Sequence, residues 1–329
     1  MKVLAKIVVS SLIAFGVSQA AMAQTDKPAD KVLVTEAFHS LLYLPVYVAK
    51  HEGIFRKYHI DVPVVRSAGS GPTALASVLA GEAQFSVHGP EHVGFAQERG
   101  GKAKAVSAVA NSAPVWILAR KDVAYEKPSD MKGRKITVGL APGTSNTLLK
   151  KFLIANQLKD KADVTVTEVQ NGSELGPVLA GQSDFSVAYQ PQVEQGIAQG
   201  MKVVHAFTAE YPEYAFSTIN TSQQLIDKNP ALVGRFVQAI NDSLKFMHAN
   251  PDKAKAVARK EFASLDGAVV NAAVQRMLDS NVYPANVQIT EKAFKTAIDM
   301  QKFVGNIKTD MHYADIVQGT FTQSVVAAK

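Results

Sequence analysis

The sequence predicts an α/β protein of two similarly built lobes that face each other across a cleft. Three observations predict it. The nine residues LAGEAQFSV (79–87) return as LAGQSDFSV (179–187), with six of the nine identical. A repeat at a fixed offset is an architectural signal, and two copies one hundred positions apart are too few and too long for a solenoid. On both sides of the repeat, strand-length apolar runs alternate with helix-length amphipathic segments, the pattern of mostly parallel sheets flanked by helices. After Ser222 only helical periodicity remains.

The elements follow in order. KVLVTEAF (31–38) reads as a strand, and LPVYVAKHEGIFRKY (44–58) as a helix interrupted at Gly53. DVPVV (61–65) is a strand, and PTALASVLA (72–80) a helix with Pro72 near its first position. QFSVH (84–88) is a strand, PEHVGFAQE (90–98) a helix, and AVSAVA (105–110) and VWILAR (115–120) are strands. The scheme then repeats. KITVGL (135–140) is a strand and SNTLLKKFLIANQ (145–157) a helix. VTVTEV (164–169), ELGPVLAG (174–181), DFSVAY (184–189), QVEQGIAQG (192–200) and KVVHAF (202–207) continue the alternation, and YAFSTIN (214–220) is a further strand. Four helices close the chain: 230–250, 251–262, 269–280 and 291–305, each behind a Pro, Asp, Thr or similar start signal. They have no strands of their own to cover, so they are expected to pack back on the first lobe. The first lobe is then discontinuous, 30–114 plus 218–329, with the second at 115–217 and crossovers near 111–116 and 208–218.

Composition bounds the rest. A chain of 329 residues allows about two domains. At 47% hydrophobic and 19% charged it is ordinary globular material. Residues 1–23 read as a secretory signal peptide: Lys2 and Lys6, an apolar run to Val17, then the Ala21-Met22-Ala23 cleavage signal. The expected location is therefore the periplasm, and the expected state a soluble monomer without a lipid anchor. There are no cysteines, which excludes disulfides, Cys–zinc sites, iron–sulfur clusters and Cys nucleophiles. The net charge of +6 falls to +4 without Lys2 and Lys6, and the cations are scattered, so no nucleic-acid partner is expected.

Four stretches carry a family resemblance: YLPVYVAKHEGIFRKYHIDV (43–62), GSGPTALASVLAGEAQFSVHGPE (69–91), DMKGRKITVGLAPGTSN (130–146) and YPEYAFSTIN (211–220). Together they resemble the periplasmic solute-binding proteins of ABC importers, in the nitrate/sulfonate/taurine group that includes the thiamine-pyrimidine binders. The resemblance implies a type II periplasmic binding fold with two crossover strands. It also implies lobes that close on a small molecule and deliver it to a membrane permease.

In parallel α/β lobes, ligands sit beyond the carboxyl ends of strands, where loops enter helices. Five loops qualify. FHSLLY (38–43) offers His39 and Tyr43, as pocket groups or as surface and core. SAGSGP (67–72) places Ser70 and Gly71 at a helix start, either a plain N-cap or a cradle for a negative group. HGPE (88–91) brings His88 and Glu91, the latter compensating a helix dipole or accepting bonds from a ligand N–H. PGTSN (142–146) supplies Thr144, Ser145 and Asn146, with Thr144 or Ser145 expected to cap a long helix and to offer the best anion site. AYQPQ (188–192), after the second repeat copy, should face HGPE with Tyr189 and Gln190. Trp116, the one tryptophan, is either a pocket wall or packing between lobes.

No cofactor or metal is expected, because His39, His88 and His92 match no zinc spacing. No catalytic motif such as G-x-S-x-G or H-E-x-x-H is present, so a binder is expected rather than an enzyme. A thiamine-pyrimidine synthase relationship is disfavoured by the missing cysteines, and a ligand sensor is the other alternative. The helix starts and Glu91 together point first to an aminosulfonate-like ligand. A heteroaromatic, such as a thiamine-precursor pyrimidine or a flavin, is the alternative.

Overall fold

The computed structural model describes residues 28–327, so the signal-peptide reading of 1–23 lies outside the described residues. In chain order the strands are β1 (Asp30–Lys31), β2 (Val34–Glu36), β3 (Ile60–Asp61), β4 (Val65–Ser67), β5 (Phe85–His88), β6 (Ala103–Ala110), β7 (Trp116–Ala119), β8 (Lys135–Gly139), β9 (Thr165–Val169), β10 (Phe185–Ala188), β11 (Lys202–Ala206) and β12 (Ser217–Ser222). Two five-stranded sheets result, ordered β4-β2-β5-β12-β6 and β9-β8-β10-β7-β11, while β1 and β3 form a separate pair.

The two sheets share one plan. Each lobe's own strands lie in the order second, first, third, then a visiting strand, then fourth. The visitors, β12 and β7, are the first strands after the chain crosses between sheets. Each runs antiparallel to both neighbours, and the other pairings are parallel. The repeat seen in sequence is thus β5 and β10, the third strands, at matching places in the two lobes. This is the two-lobe α/β architecture with two crossovers.

Local chemistry explains the departures from the expected elements. The run 61–65 divides because Pro63 lacks an N–H; Asp61 stays with β1, while Val65 opens β4 beside β2. The helix at 44–58 is interrupted at Gly53 as expected, giving Leu44–His51 and Ile54–Lys57 on either side of its left-handed φ of 68°.

Helix Pro230–Ala249 covers the first sheet. Leu232, Val233, Phe236, Val237, Ile240, Leu244 and Met247 are buried at helical spacing, and Phe236 stacks on Phe85 at 4.0 Å between ring centres. Its start is capped by Asn229, whose side chain accepts from Leu232 N–H at 3.1 Å, with Pro230 at the first position. Asn229→Ala should lower stability by about 1 kcal/mol and Asn229→Asp should not; urea unfolding measures both.

The later helices reach further. Gly267–Asp279 packs on Gln192–Ala198 of the second lobe and pairs Arg276 with Glu194. Glu291–Phe303 packs on Thr144–Ala155, where Thr147 Oγ1 donates to Gln301 Oε1 at 3.2 Å. The helical tail therefore covers the first lobe and also straps it to the second.

Candidate functional site

The loops that follow β5 and β10 meet between the lobes around a cavity of about 200 Å³. Phe38, Tyr43, Ser70, Gly71, His88 and His92 line it from the first lobe. Pro142, Thr144, Asn171 and Tyr189 line it from the second, and Phe216 comes from the returning crossover. The walls are aromatic. Phe38 lies 5.3 Å from Tyr189 and 6.1 Å from Tyr43, and Phe216 lies edge-on to Tyr189 at 6.0 Å. No Lys or Arg is among the lining residues.

Helix Thr144–Ala155 presents its start to the cavity, but not as an empty anion cradle. The cap position falls to Gly143, which has no side chain, because the turn from Leu140 begins the helix one residue earlier than expected. Thr144 is instead free to donate its hydroxyl across the lobes to Glu91 Oε1 at 2.9 Å. The Ser145 N–H donates to the Tyr189 hydroxyl at 3.0 Å. Asn146 turns inward and donates to Gly139 O at 3.0 Å, holding the loop after β8.

Glu91 opens helix Glu91–Gln97 and is fully buried. Burial pushes its carboxyl up to about 7, against the lowering effect of its own backbone N–H and of Thr144. Its second oxygen, Oε2, has no partner. His88 bonds Ser86 Oγ and Gly89 O, both at 2.9 Å. Burial, and then the neighbouring His92, lower His88 to about 3; burial lowers His92 to about 4. Both imidazoles are therefore neutral near pH 7 and bring no positive charge to the cavity.

The named residues divide accordingly. Tyr43, Ser70, Gly71, His88, Thr144 and Tyr189 line the cavity. Ser70 is also a plain N-cap, accepting from Thr73 N–H at 3.3 Å. Glu91 and Ser145 stand behind the wall, tied to Thr144 and Tyr189 by the bonds just given, and Asn146 bonds the end of β8. Three residues lie elsewhere. His39 faces Glu36 at 3.1 Å and stacks on Phe262, because its loop turns it toward the helical tail. Trp116 is 1% exposed in the core as the first residue of β7. Gln190 is consumed by Glu194, donating to Oε1 at 3.1 Å and accepting the Glu194 N–H at 3.3 Å.

Sequence reasoning passed over Asn171, Glu174 and Tyr214. Burial raises the Glu174 carboxyl to about 7, and the Tyr214 hydroxyl is buried without a partner. A signal for the first two existed. The loop after β9 is the repeat counterpart of SAGSGP after β4, and QNGSELG (170–176) could have been named on that ground.

Comparison with known proteins agrees with the architecture. YtlA of Bacillus subtilis (strain 168) is 22% identical over 306 residues, covering 91% of each chain. The riboflavin-binding protein RibY of Chloroflexus aurantiacus is 26% identical over 226 residues; the match spans 65% of this chain and 61% of RibY. Among solved structures, the alkanesulfonate-binding protein SsuA of Xanthomonas axonopodis pv. citri, bound to MOPS, superposes with a TM-score of 0.68 at 16% identity, over 90% of this chain and 96% of that one. The desulfurization enzyme DSZB superposes with the same TM-score, 0.68, at 13% identity, over 91% of this chain and 99% of that one. These likenesses establish a fold that serves both binders and an enzyme. The family model described as NMT1/THI5 like matches residues 42–254, and the chain belongs to that family.

Proposed function

We propose that this protein is the extracytoplasmic solute-binding component of an ABC importer, and that its ligand is a small heteroaromatic bearing N–H donors. A thiamine-precursor pyrimidine is the type. The observation that carries this reading is the cavity wall. It is built of Phe38, Tyr43, Tyr189 and Phe216, contains no Lys or Arg, and is backed by the unpaired oxygen of Glu91. Aromatic faces suit a flat ring. A buried carboxyl accepts from an N–H and repels an anion.

The aminosulfonate expected from the loops fits less well. Its sulfonate would need cations or free helix N–H groups. The two lining histidines are neutral, and the Ser145 N–H is already used by Tyr189. Size also selects. A cavity of about 200 Å³ suits one ring better than the three-ring flavin that the name of RibY implies for that relative.

The role is capture and delivery to a permease, without turnover. The binding proteins among its relatives and the lack of a Cys nucleophile support that reading. A thermal-shift screen of the mature protein tests it. Mass action gives about 2.7 kcal/mol of stabilisation from a ligand at 100 times its Kd. Aminopyrimidines should raise Tm, and taurine, alkanesulfonates and nitrate should not. A shift with the anions alone would overturn the ligand class, and conversion of any bound compound would overturn the non-enzymatic role.

A further inference from the structure

His39 is not among the residues that line the cavity, yet its loop builds one wall of it through Ala37, Phe38, Leu42 and Tyr43. The second half of that loop is held by neutral bonds. Ser40 Oγ donates across the lobes to Gln190 O at 3.1 Å, and the Tyr283 hydroxyl donates to Leu41 O at 2.7 Å. The first half, which carries Phe38, has the Ala37 N–H bond to Val87 O at 3.3 Å and then His39. His39 Nδ1 lies 3.1 Å from Glu36 Oε1. Its Nε2 lies 3.2 Å from the carbonyl oxygen of Glu261, the last residue of helix Pro251–Glu261.

These contacts fix a proton count. A carbonyl oxygen only accepts, so Nε2 carries a hydrogen. A neutral imidazole then has a bare lone pair at Nδ1, facing a carboxylate oxygen. Tyr47 brings one hydrogen, and its hydroxyl meets both Glu36 Oε2 and, at 3.1 Å, His39 Nδ1. One hydrogen cannot serve both the Oε2 contact and the contact between Nδ1 and Oε1. A further proton must lie between Nδ1 and Oε1, whichever atom owns it. Glu36 is 1% exposed, while the His39 side chain is partly exposed, so the proton can exchange with water. Burial lowers His39, but Glu36 and the Glu261 carbonyl outweigh it and hold the imidazole above its ordinary 6.5. Burial holds Glu36 above 4.5. The surrounding groups are Tyr43 and Tyr47, kept protonated by burial and by Glu36, and the Glu261 carboxylate, which faces His39 at 3.8 Å and also pairs with His51.

We infer that Glu36 and His39 are positioning residues: one shared proton ties the loop to the helical tail, fixes Phe38 against Tyr189, and so sets ligand affinity. The inference rests on this cavity being the ligand site and not on which ligand fills it. Because the folded pair holds its proton above the ordinary imidazole value, the tie is complete below about pH 6.5 and is lost as pH rises through the higher folded value. Its loss leaves a lone pair against a buried carboxylate and releases the first half of the loop.

Glu36→Gln mimics the protonated pair at every pH, since its NH₂ donates to Nδ1 while its oxygen accepts from Tyr47. His39→Gln removes the imidazole and serves as well if the first variant fails to fold. Calorimetric titration with 4-aminopyrimidine at pH 6 and pH 9 should give a ratio of Kd values, pH 9 over pH 6, about tenfold larger in the wild type than in either variant. Glu91, Glu174, His51 and the probe titrate alike in all three proteins and cancel. Two measurements need no ligand. By NMR the His39 ring, assigned by its loss in His39→Gln, should titrate above pH 6.5 in the wild type and at lower pH in Glu36→Gln. Amide exchange of residues 37–39 should be faster in the wild type than in Glu36→Gln at pH 9, and equal at pH 6. Equal Kd ratios in a folded variant, a wild-type titration at or below 6.5, or equal exchange at pH 9 each overturns the inference and leaves the heteroaromatic reading standing. A wild type that binds no aminopyrimidine at either pH overturns that reading alone, and the two ligand-free measurements then decide the role of the pair.

Discussion

Tyr189→Ala is expected to weaken binding of an aminopyrimidine by about a hundredfold, equivalent to ~2.7 kcal/mol. Two losses add. The ring joins Phe38 to Phe216 along the cavity wall, and its removal opens one face of the ligand to water. Its hydroxyl is also the acceptor for the Ser145 N–H, which would become a buried orphan at a helix start. Tyr189→Phe separates the two. It keeps the wall and loses the acceptor, so it should cost about tenfold or less. Calorimetric titration of both variants reads the difference, and an unchanged Kd in Tyr189→Ala would remove this ring from the site.

Glu91→Gln is expected to stabilise the ligand-free protein by about 3 kcal/mol at pH 8 and to have little effect at pH 4. The carboxyl sits at about 7 in the folded chain against an ordinary value of 4.5, with burial as the main cause. The folded state therefore holds this proton more tightly than the unfolded state does. The favourable contribution is complete below about pH 4.5 and is lost as pH rises through about 7. Glutamine keeps an acceptor for Thr144 and never ionises, so it avoids that loss. Glu174, also near 7, adds the same slope to both proteins and cancels from the comparison. Urea unfolding at the two pH values checks this, and equal effects at both would contradict the buried-carboxyl account. A ligand that offers an N–H to Glu91 Oε2 should flatten the wild-type slope, which links this measurement to the site.

Much of the architecture was legible because its signals are local. The alternation of strand and helix is read within a dozen residues, and the returning LAG…FSV segment marks β5 and β10 one hundred positions apart. Less legible was any pairing decided at a distance. That β7 and β12 insert antiparallel beside the third strand of the opposite lobe depends on where the crossovers arrive. That Gly267–Asp279 and Glu291–Phe303 strap the second lobe depends on which apolar faces remain uncovered once both sheets exist.

The candidate site divides on the same line. The loops beyond the strand ends could be named from sequence, and they do surround the cavity: Tyr43, Ser70, Gly71, His88, Thr144 and Tyr189 line it. The direction of each side chain could not be read, because a helix-start residue can face the helix, the core or the cleft with the same local sequence. Gln190 turned to Glu194, His39 to Glu36, and Trp116 into the core. Thr144 looked like a cap and became a bond to Glu91 across the lobes.

By itself the sequence determined two α/β lobes, their repeat and the loops at the cleft, since periodicity and helix-start chemistry are properties of neighbouring residues. The tertiary structure alone decided the chemistry inside. Whether a histidine is charged and whether a helix N–H is free depend on burial and on partners far along the chain.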